Sequence, residues 1–600
     1  MVAESAPAEG WLTEPVRTPI AFGPEDRRLV GFHHVAATAA AATGVVLCNP
    51  LGYEAMCTHR TYLHLAHRLS AAGIHALRYD HEGTGDSWGR EDGPGRVRCW
   101  LDGVHAAVEE LRRRAGVQAI ALFGVRFGAT LAALAAAEMA DVDGLVLWAP
   151  SASGRAYVRE LRAFRKIKGS KLEPDERADG GEAIAGYLFD RSTVAEMTEV
   201  DLLAGKSRVA RRVLVVPRDD LPGPESRLAA HFETLGAEVR VASDPGYAAM
   251  MRDPQDSVVP FATLDAMVAW LRAGAAGKAE SRAHRTGAAS APVTTTAGNV
   301  RETPFPFGAG ERLFGIVAEP ERAPAAPDRP AIVLLNVGAN HHVGPNRMYV
   351  ALARDLAELG YLSFRFDVAG LGDGLTAPGA PDNRLYSKDS VGDVKTAMDF
   401  LAQVRGSKRF VLVGLCSGAY LAFHTCIEDP RVSGQILLNP QTFEWKEGDS
   451  LELSVRRSFL STRYYARALR DYRVWIRAVQ GDVNVRGITG ALSDRLRARV
   501  SARLRRLASR VLGRDEAQSD IERAFHTTSR RGVESLLVFS FEDGGLDMIE
   551  KHLGRGARRM HGASNFQIEI IDGADHTFTP IASQTVLYGL LERFVTARFP

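Results

Sequence analysis

The chain has 600 residues, which corresponds to two to four domains at roughly 150 residues per domain. Hydrophobic residues make up 46% of the chain and charged residues 24%, a composition that excludes a disordered or fibrous protein. Lys and Arg number 74 against 72 Asp and Glu. The resulting net charge of +2 is too small to give the whole protein an electrostatic field that would attract nucleic acid or a membrane surface.

The start of the chain is acidic and contains proline, without the basic and apolar segments of a signal peptide. No apolar run reaches the length of about 18 residues that a membrane span needs. The cysteines are odd in number and have no metal-ligand spacing, which indicates reduced thiols. They are Cys48, Cys57, Cys99, Cys416 and Cys426. These features predict a soluble cytoplasmic protein in which a thiol can act as a reagent.

The two halves of the sequence repeat one another. GVVLCNPLGYE and HALRYDHEGTGDS in the first half correspond to AIVLLNVGANH and LSFRFDVAGLGDG in the second. Asn49 pairs with Asn336 and Asp80 with Asp367, both at an offset of 287 residues. Self-similarity over such a length indicates two copies of one fold.

Each copy alternates short apolar runs with amphipathic helical segments, which predicts an α/β fold with a mostly parallel sheet covered by helices. The candidate strands are 44–49, 118–124 and 143–148 in copy one, and 331–336, 409–415 and 434–438 in copy two. A stretch rich in Ala, Gly, Ser and Thr separates the copies and is typical of a linker. The predicted organisation is a first domain over 15–272, a linker over 273–302 and a second domain over 303–600.

The sequence GLCSG at 414–418 carries the strongest chemical signal. It follows the apolar run FVLV and precedes the helical segment AYLAFHTC. A side chain on a tight strand-to-helix turn projects from the edge of the sheet, and glycines two residues before and after it let neighbouring backbone pass closely. Gly414 and Gly418 therefore select Cys416 as the nucleophile, because Ser417 would have leucine and alanine at those flanking positions.

This turn resembles the nucleophile elbow of the α/β-hydrolase family, which reads G-x-S-x-G or, in dienelactone hydrolases, G-x-C-x-G. The resemblance covers nearly all of both halves and implies two α/β-hydrolase domains. The order of catalytic residues in that family is nucleophile, acid and histidine. In copy two the resemblance implies Cys416, then Asp543 after the strand SLLVFS, then His576 in the loop after FQIEII.

These residue types suit acyl chemistry. A cysteine thiolate is a strong nucleophile, and an imidazole and a helix N-terminus both stabilise it. By the resemblance, His576 takes the thiol proton and returns it to the leaving group, while Asp543 orients the imidazole. The resemblance also implies that the backbone N–H groups of Ser417 and Gly338 form the oxyanion hole.

Alternatives stay open at several of these positions. Cys416 could be a packing residue only, and His576 an ordinary core or surface histidine. The other acids that could orient the imidazole are Glu542, Asp547 and Asp575. The histidines after the predicted oxyanion loop, which could contact substrate or have no role, are His341 and His342.

Copy one keeps the glycines of the elbow but has Arg126 at its centre. Asp220 occupies the acid position and Tyr247 the position of the histidine. An arginine cannot act as a nucleophile near neutral pH. We therefore predict a degenerate hydrolase domain, in which Arg126 either pairs with Asp220 or binds an anionic ligand.

Residues 441–530 are predicted to form a helical lid over the second site, in the region where α/β-hydrolases commonly have one. Nineteen arginines lie from Arg456 to Arg531. They form either a solvated helical face or a docking surface for an acidic partner, such as an acyl carrier protein or a coenzyme A ester. Nucleic acid is disfavoured, because no nucleic-acid-binding motif accompanies the arginines.

The preferred function is an acyl hydrolase of the thioesterase or esterase type, acting on an acyl ester or thioester through an acyl-Cys416 intermediate. One alternative is an acyltransferase or cyclase that passes the acyl group from a carrier-protein or coenzyme A thioester to an amine or alcohol. A second alternative is a non-catalytic scaffold. The sequence has neither metal-ligand spacing nor a dinucleotide fingerprint, so no metal and no cofactor are predicted.

Overall fold

A computed structural model describes most of the chain. The described residues are 17–37, 42–139, 141–168, 181–243, 246–275, 294–322, 328–376, 379–445, 519–541 and 543–600. Most of the predicted lid and of the predicted linker lies outside them. The chain divides into two compact units: Met1–Pro327 with Gly338–Leu385, and Asp328–Val337 with Tyr386–Pro600. The predicted domain boundaries at 272 and 303 stay a prediction.

The first sheet has eight strands in the described part of the chain, in the order β1-β2-β4-β3-β5-β6-β9-β10. The strands are β1 Arg17–Phe22, β2 Leu29–His34, β3 Thr43–Cys48, β4 His75–Tyr79, β5 Ala119–Val125, β6 Val142–Trp148, β9 Arg212–Val216 and β10 Glu238–Val241. Strand β2 is antiparallel to both neighbours, and the pairs from β4 to β10 are parallel. A separate hairpin consists of β7 Glu182–Ile184 and β8 Tyr187–Phe189.

Helices cover both faces of this sheet. They are α1 Tyr53–Ala71, α2 Arg96–Ala115, α3 Phe127–Glu138, α4 Gly154–Lys168, α5 Arg191–Glu199, α6 Glu225–Thr234, α7 Tyr247–Met250 and α8 Phe261–Ala275. Along β3, Val46 packs in one apolar cluster with residues of α2 and α3. Val45 and Leu47 pack in a second cluster with residues of α1 and α8. Both faces of the strand are buried, which is why its sequence is continuously apolar rather than alternating.

The second sheet has nine strands among the described residues, divided between the two compact units. The antiparallel strands in the first unit are β11 Thr295–Ala297, β12 Val300–Phe307, β13 Leu313–Pro320 and β15 Ser363–Asp367. The parallel strands in the second unit are β14 Ala331–Leu335, β16 Phe410–Leu415, β17 Val432–Leu438, β18 Glu534–Ser540 and β19 Phe566–Ile571.

Six helices accompany the second sheet in the described residues. They are α9 Met348–Glu358, α10 Lys388–Arg405, α11 Ser417–Glu428, α12 Asp520–Arg530, α13 Gly545–Leu553 and α14 Ile581–Arg598. The predicted α/β class, with two mostly parallel sheets flanked by helices, is confirmed. All six candidate strands are present, with ends within two residues of the predictions. Within the described ranges, no helix combines the length and the apolar character needed to cross a membrane.

The first unit contains a buried charge cluster formed by His342, Asp86, Asp367, Arg365 and Glu302. The imidazole of His342 bonds to Asp367 through Nδ1 at 2.6 Å and to Asp86 through Nε2 at 2.7 Å. Arg365, which is 0% exposed, lies 3.0 Å from Asp86 and 2.8 Å from Glu302. Burial lowers the pKa of His342, but the two carboxylates outweigh it and hold that pKa well above its usual value. The negative charge of Asp86 thus balances the positive charges of two buried side chains, His342 and Arg365.

We expect Asp86→Asn to lower the free energy of unfolding by about 3 to 5 kcal/mol at pH 7, because it leaves the buried cations with less compensation. Burial raises the pKa of Asp86, but His342 and Arg365 hold it well below its usual range. The stabilisation is therefore complete above pH 4 and decreases as the pH falls further. Urea unfolding at pH 7 and at lower pH measures the difference.

The control for that substitution is Asp102→Asn. Asp102 forms an ion pair with Arg98 on an exposed helix surface, with both side chains more than half exposed. We expect this control substitution to lower the free energy of unfolding by less than about 1 kcal/mol. Equal costs for the two variants would contradict the role of Asp86 in the buried charge cluster.

Candidate active site

Cys416 lies on the tight turn between β16 and α11. Its backbone has φ 55° and ψ −109°, in a region that side chains rarely adopt. A Cβ atom on Gly414 would lie 2.1 Å from the Gly418 carbonyl carbon, and one on Gly418 would lie 2.7 Å from the Asn336 carbonyl oxygen. Only glycine fits at either flank, so the turn has the geometry that the sequence predicts. The thiol is partly exposed.

His576 and Asp543 reach this turn from loops that follow the last two strands of the sheet. His576 Nδ1 lies 2.6 Å from Asp543 Oδ2. The backbone of the histidine loop is held by Asn439, whose side-chain amide donates to the His576 carbonyl at 2.8 Å. Asp543 is fully buried, whereas the imidazole is 22% exposed. The structure therefore brings Cys416, His576 and Asp543 together, with the acid inside and the imidazole open to the surface.

The carboxylate of Asp543 is held by two further donors. Gln441 donates its side-chain amide to Oδ1 at 2.7 Å and to Oδ2 at 2.9 Å, and the Gly545 N–H donates to Oδ1 at 2.7 Å. These hydrogen bonds fix the orientation of the carboxylate toward His576. Sequence reasoning missed Gln441, because a single glutamine just after a strand has no motif that marks it.

The charge state of His576 follows from these neighbours. Burial lowers the pKa of His576, but the charges of Cys416 and Asp543, with the hydrogen bond to Asp543, outweigh burial and raise it well above the usual value. A histidine with a raised pKa is protonated at neutral pH, so His576 carries a positive charge near Cys416.

The other acids considered as partners of His576 have different positions. Asp575 accepts a hydrogen bond from the Thr579 N–H at 2.7 Å. Asp547 lies in the first turn of α13. Glu542 is outside the described residues.

Ser417 is the first residue of α11 and is buried. Gly338 follows β14 with φ 53°, and a Cβ atom there would meet no other heavy atom within 4 Å. Their roles as oxyanion donors stay predictions.

Of the two histidines after the predicted oxyanion loop, His342 is buried with both ring nitrogens bonded in the buried charge cluster. His341 stacks on His59, with the ring centroids 4.0 Å apart. The alternative that they are exposed without a role is therefore wrong for His342, which binds two carboxylates inside the first unit.

His342, Asp367 and Asp373 place potential metal-ligating atoms within 4.8 Å of one another in the described residues. The donor set does not suit a metal ion, because a metal needs a neutral imidazole with an available nitrogen. Both nitrogens of His342 face carboxylates, and its pKa is raised. Asp373 also pairs with Arg78. These residues are better described as ion pairs than as a metal site.

At the elbow of copy one, Arg126 adopts φ 54°, close to the value at Cys416. Its guanidinium forms ion pairs with Glu54 and Glu160. The alternative that it pairs with Asp220 is wrong, because Asp220 instead pairs with Arg218 at 2.6 Å. Residues 54 and 160 have no counterpart in the catalytic motif, so no sequence pattern marks them as partners of Arg126.

The described sheets and helices form the α/β-hydrolase fold twice. The family model for serine aminopeptidase, S33, matches residues 40–213 and 327–509, which is more than half of the chain. The chain belongs to this hydrolase family. Cys416 occupies the position between the two elbow glycines of the second copy.

No curated protein matches the chain. Solved structures that resemble part of it include a complex of DcsB with its substrate analogue, at 17% identity and TM-score 0.33, covering 44% of this chain and 100% of that one. Est1E from Butyrivibrio proteoclasticus is 15% identical, with TM-score 0.32 and coverage of 43% and 98%. Brefeldin A esterase, a bacterial homologue of human hormone sensitive lipase, is 15% identical, with TM-score 0.33 and coverage of 46% and 81%.

We expect Asp543→Asn to slow alkylation of Cys416 by iodoacetamide at pH 6 by at least about tenfold. Asparagine cannot stabilise the imidazolium, so His576 loses its proton and the thiolate its counter-ion. Mass spectrometry of the tryptic peptide that contains Cys416 measures the rate. Asp547→Asn is the matched control and should leave that rate within about twofold of wild type. If Asp547→Asn has the larger effect, Asp543 is not the partner.

Proposed function

We propose that the chain is an acyl hydrolase in which Cys416 carries the acyl group as a thioester. One observation supports this most directly: a thiol lies on a strained strand-to-helix turn, its charge acts on the His576 imidazole, and that imidazole lies 2.6 Å from a buried carboxylate. This is the arrangement of nucleophile, base and orienting acid that acyl transfer requires. Membership of a hydrolase family favours water as the acceptor.

In the first half of the reaction, the Cys416 sulfur attacks the carbonyl carbon of an ester or thioester. A carbon–sulfur bond forms, and the π electrons of the carbonyl move to its oxygen. The N–H groups of Ser417 and Gly338 are the proposed donors to that oxyanion. As the oxyanion collapses, the bond to the alcohol or thiol breaks, and the leaving group takes the proton from His576.

In the second half, neutral His576 takes a proton from water, and the hydroxide attacks the carbonyl of the acyl-cysteine. The carbon–sulfur bond breaks, the acid is released and the charge returns to the sulfur. His576 is then protonated as at the start. Asp543 keeps the imidazole in the required orientation throughout and stabilises its positive charge.

The acceptor decides between hydrolysis and transfer. A thioester reacts with amines more readily than an oxygen ester does, so a cysteine nucleophile suits an acyltransferase or cyclase as well. The predicted lid, which carries most of the arginines considered for an acidic carrier protein, lies largely outside the described residues. That partner stays a prediction.

We expect the protein to form a mass adduct on Cys416 when it is incubated with p-nitrophenyl acetate or an acyl thioester of N-acetylcysteamine. Cys416→Ala should abolish the adduct and lower the hydrolysis rate by at least about a thousandfold. Cys426→Ala is the matched control. Cys426 lies in α11, the helix that follows Cys416, but burial raises its pKa to about 12, so its substitution should change the rate by less than about twofold.

Parallel reactions with an added amine or alcohol identify the acceptor. Release of the free acid as the main product supports a hydrolase, whereas an amide or a new ester as the main product supports the transferase alternative. Hydrolysis that is equally fast in Cys416→Ala and wild type would contradict the proposal. No acylation and no turnover of either acyl donor would favour the scaffold alternative.

A further inference from the structure

A tyrosine that no catalytic motif marks lies against the proposed nucleophile. The hydroxyl oxygen of Tyr386 is 3.4 Å from the Cys416 sulfur, within hydrogen-bonding distance for sulfur. Tyr386 is only 3% exposed, whereas the thiol that it contacts is partly exposed. Tyr386 therefore contacts the sulfur directly, beside His576, on whose pKa the charge of Cys416 acts.

The backbone holds Tyr386 in a costly conformation. Its φ of 57° lies in the left-handed region, where a bulky residue is a rare outlier. Such conformations cost of the order of 1 to 3 kcal/mol and persist only where surrounding contacts enforce them. They are frequent at functional sites, which favours a role for this side chain beyond filling space.

Two aromatic rings fix the position of the phenol. Trp445 stacks on the Tyr386 ring with centroids 4.7 Å apart and planes at 18°. Tyr420, from α11, meets the same ring edge-on at 5.5 Å. With the ring clamped on these two sides, the hydroxyl is pre-positioned at the sulfur before any substrate binds.

The direction of the hydrogen bond follows from charge. Burial raises the pKa of Tyr386 well above its usual value, and the nearby charges of Cys416 and Asp543 raise it further. The phenol therefore keeps its proton. A thiolate has no proton to donate, so in the thiolate–imidazolium state Tyr386 is the donor and the Cys416 sulfur the acceptor.

We propose that Tyr386 is a catalytic residue that donates a hydrogen bond to the Cys416 thiolate, and this inference rests on the proposed function. The sulfur carries charge twice in the cycle: before it attacks the carbonyl carbon, and again when the carbon–sulfur bond of the acyl-enzyme breaks. The same hydrogen bond serves both states. It increases the fraction of thiolate at the start and stabilises the departing sulfur at the end, while the phenol proton stays on Tyr386.

The test is the pH dependence of Cys416 alkylation by iodoacetamide in the full-length protein. We expect Tyr386→Phe to raise the midpoint of this pH dependence by about one pH unit, because a hydrogen bond to a charged group is lost. Below the midpoint, a shift of that size corresponds to a tenfold loss of thiolate. We also expect acyl-Cys416 to accumulate during turnover of p-nitrophenyl acetate, because the sulfur leaves more slowly. An unchanged midpoint would overturn the proposal.

Tyr420→Phe is the matched control, because it removes a hydroxyl from the ring that packs on Tyr386. We expect its midpoint to match wild type, and a shift as large as that of Tyr386→Phe would overturn the proposal. A second variant has 3-fluorotyrosine at position 386, which keeps the ring and is a stronger donor. Its midpoint should fall below wild type, and no fall would overturn the proposal even if Tyr386→Phe does not fold.

Wild type and His576→Ala separate the two proposals. A wild-type midpoint near that of an ordinary thiol, unchanged by His576→Ala, would contradict the proposed function itself. A low wild-type midpoint that rises in His576→Ala but not in Tyr386→Phe would leave the proposed function intact and overturn only the role of Tyr386.

Discussion

The turn between β16 and α11 is the constraint on which the site depends. Strand and helix backbones approach so closely there that a single Cβ atom at either flanking glycine would overlap the main chain. The residue between them must accept a positive φ, at a cost of roughly 1 to 3 kcal/mol that the buried sheet and helix have to offset. The backbone conformation determines the direction in which the side chain projects, but it does not determine which type of side chain occupies the position. Cysteine and arginine occupy equivalent turns in this one chain.

The two side chains place opposite electrostatic demands on the same position. Each lies at the N-terminus of a helix, where the macrodipole favours negative charge. A thiolate on Cys416 gains from that field and needs only proton donors. The guanidinium of Arg126 opposes it and is buried, so it requires anionic partners, which Glu54 and Glu160 provide. With both carboxylates in place, the positive charge at the first elbow is compensated inside the protein, which leaves less of it to attract an anionic ligand.

The sequence predicted the features that depend on local pattern. Continuous apolar runs marked the strands, because a strand that is buried on both faces has apolar residues at successive positions instead of an alternating pattern. Two glycines located the elbow, because no other residue fits there. Gln441 and Tyr386 were not predicted, since each acts through a contact with a residue distant in sequence and belongs to no motif. For the same reason, the partners of Arg126 could be found only from the structure.

The buried charge cluster links a loop of copy one to residues of copy two within the first compact unit. Asp86 belongs to copy one, yet its carboxylate bonds to His342 and Arg365 of copy two within the first compact unit. The guanidinium of Arg347, also from copy two, donates to three backbone carbonyls of the same copy-one loop, at 2.7 to 2.9 Å. Buried cations that lose such partners are strongly destabilising. Loss of this loop's conformation would therefore leave the buried cations of copy two without their partners, whichever residue occupies the elbow of copy one.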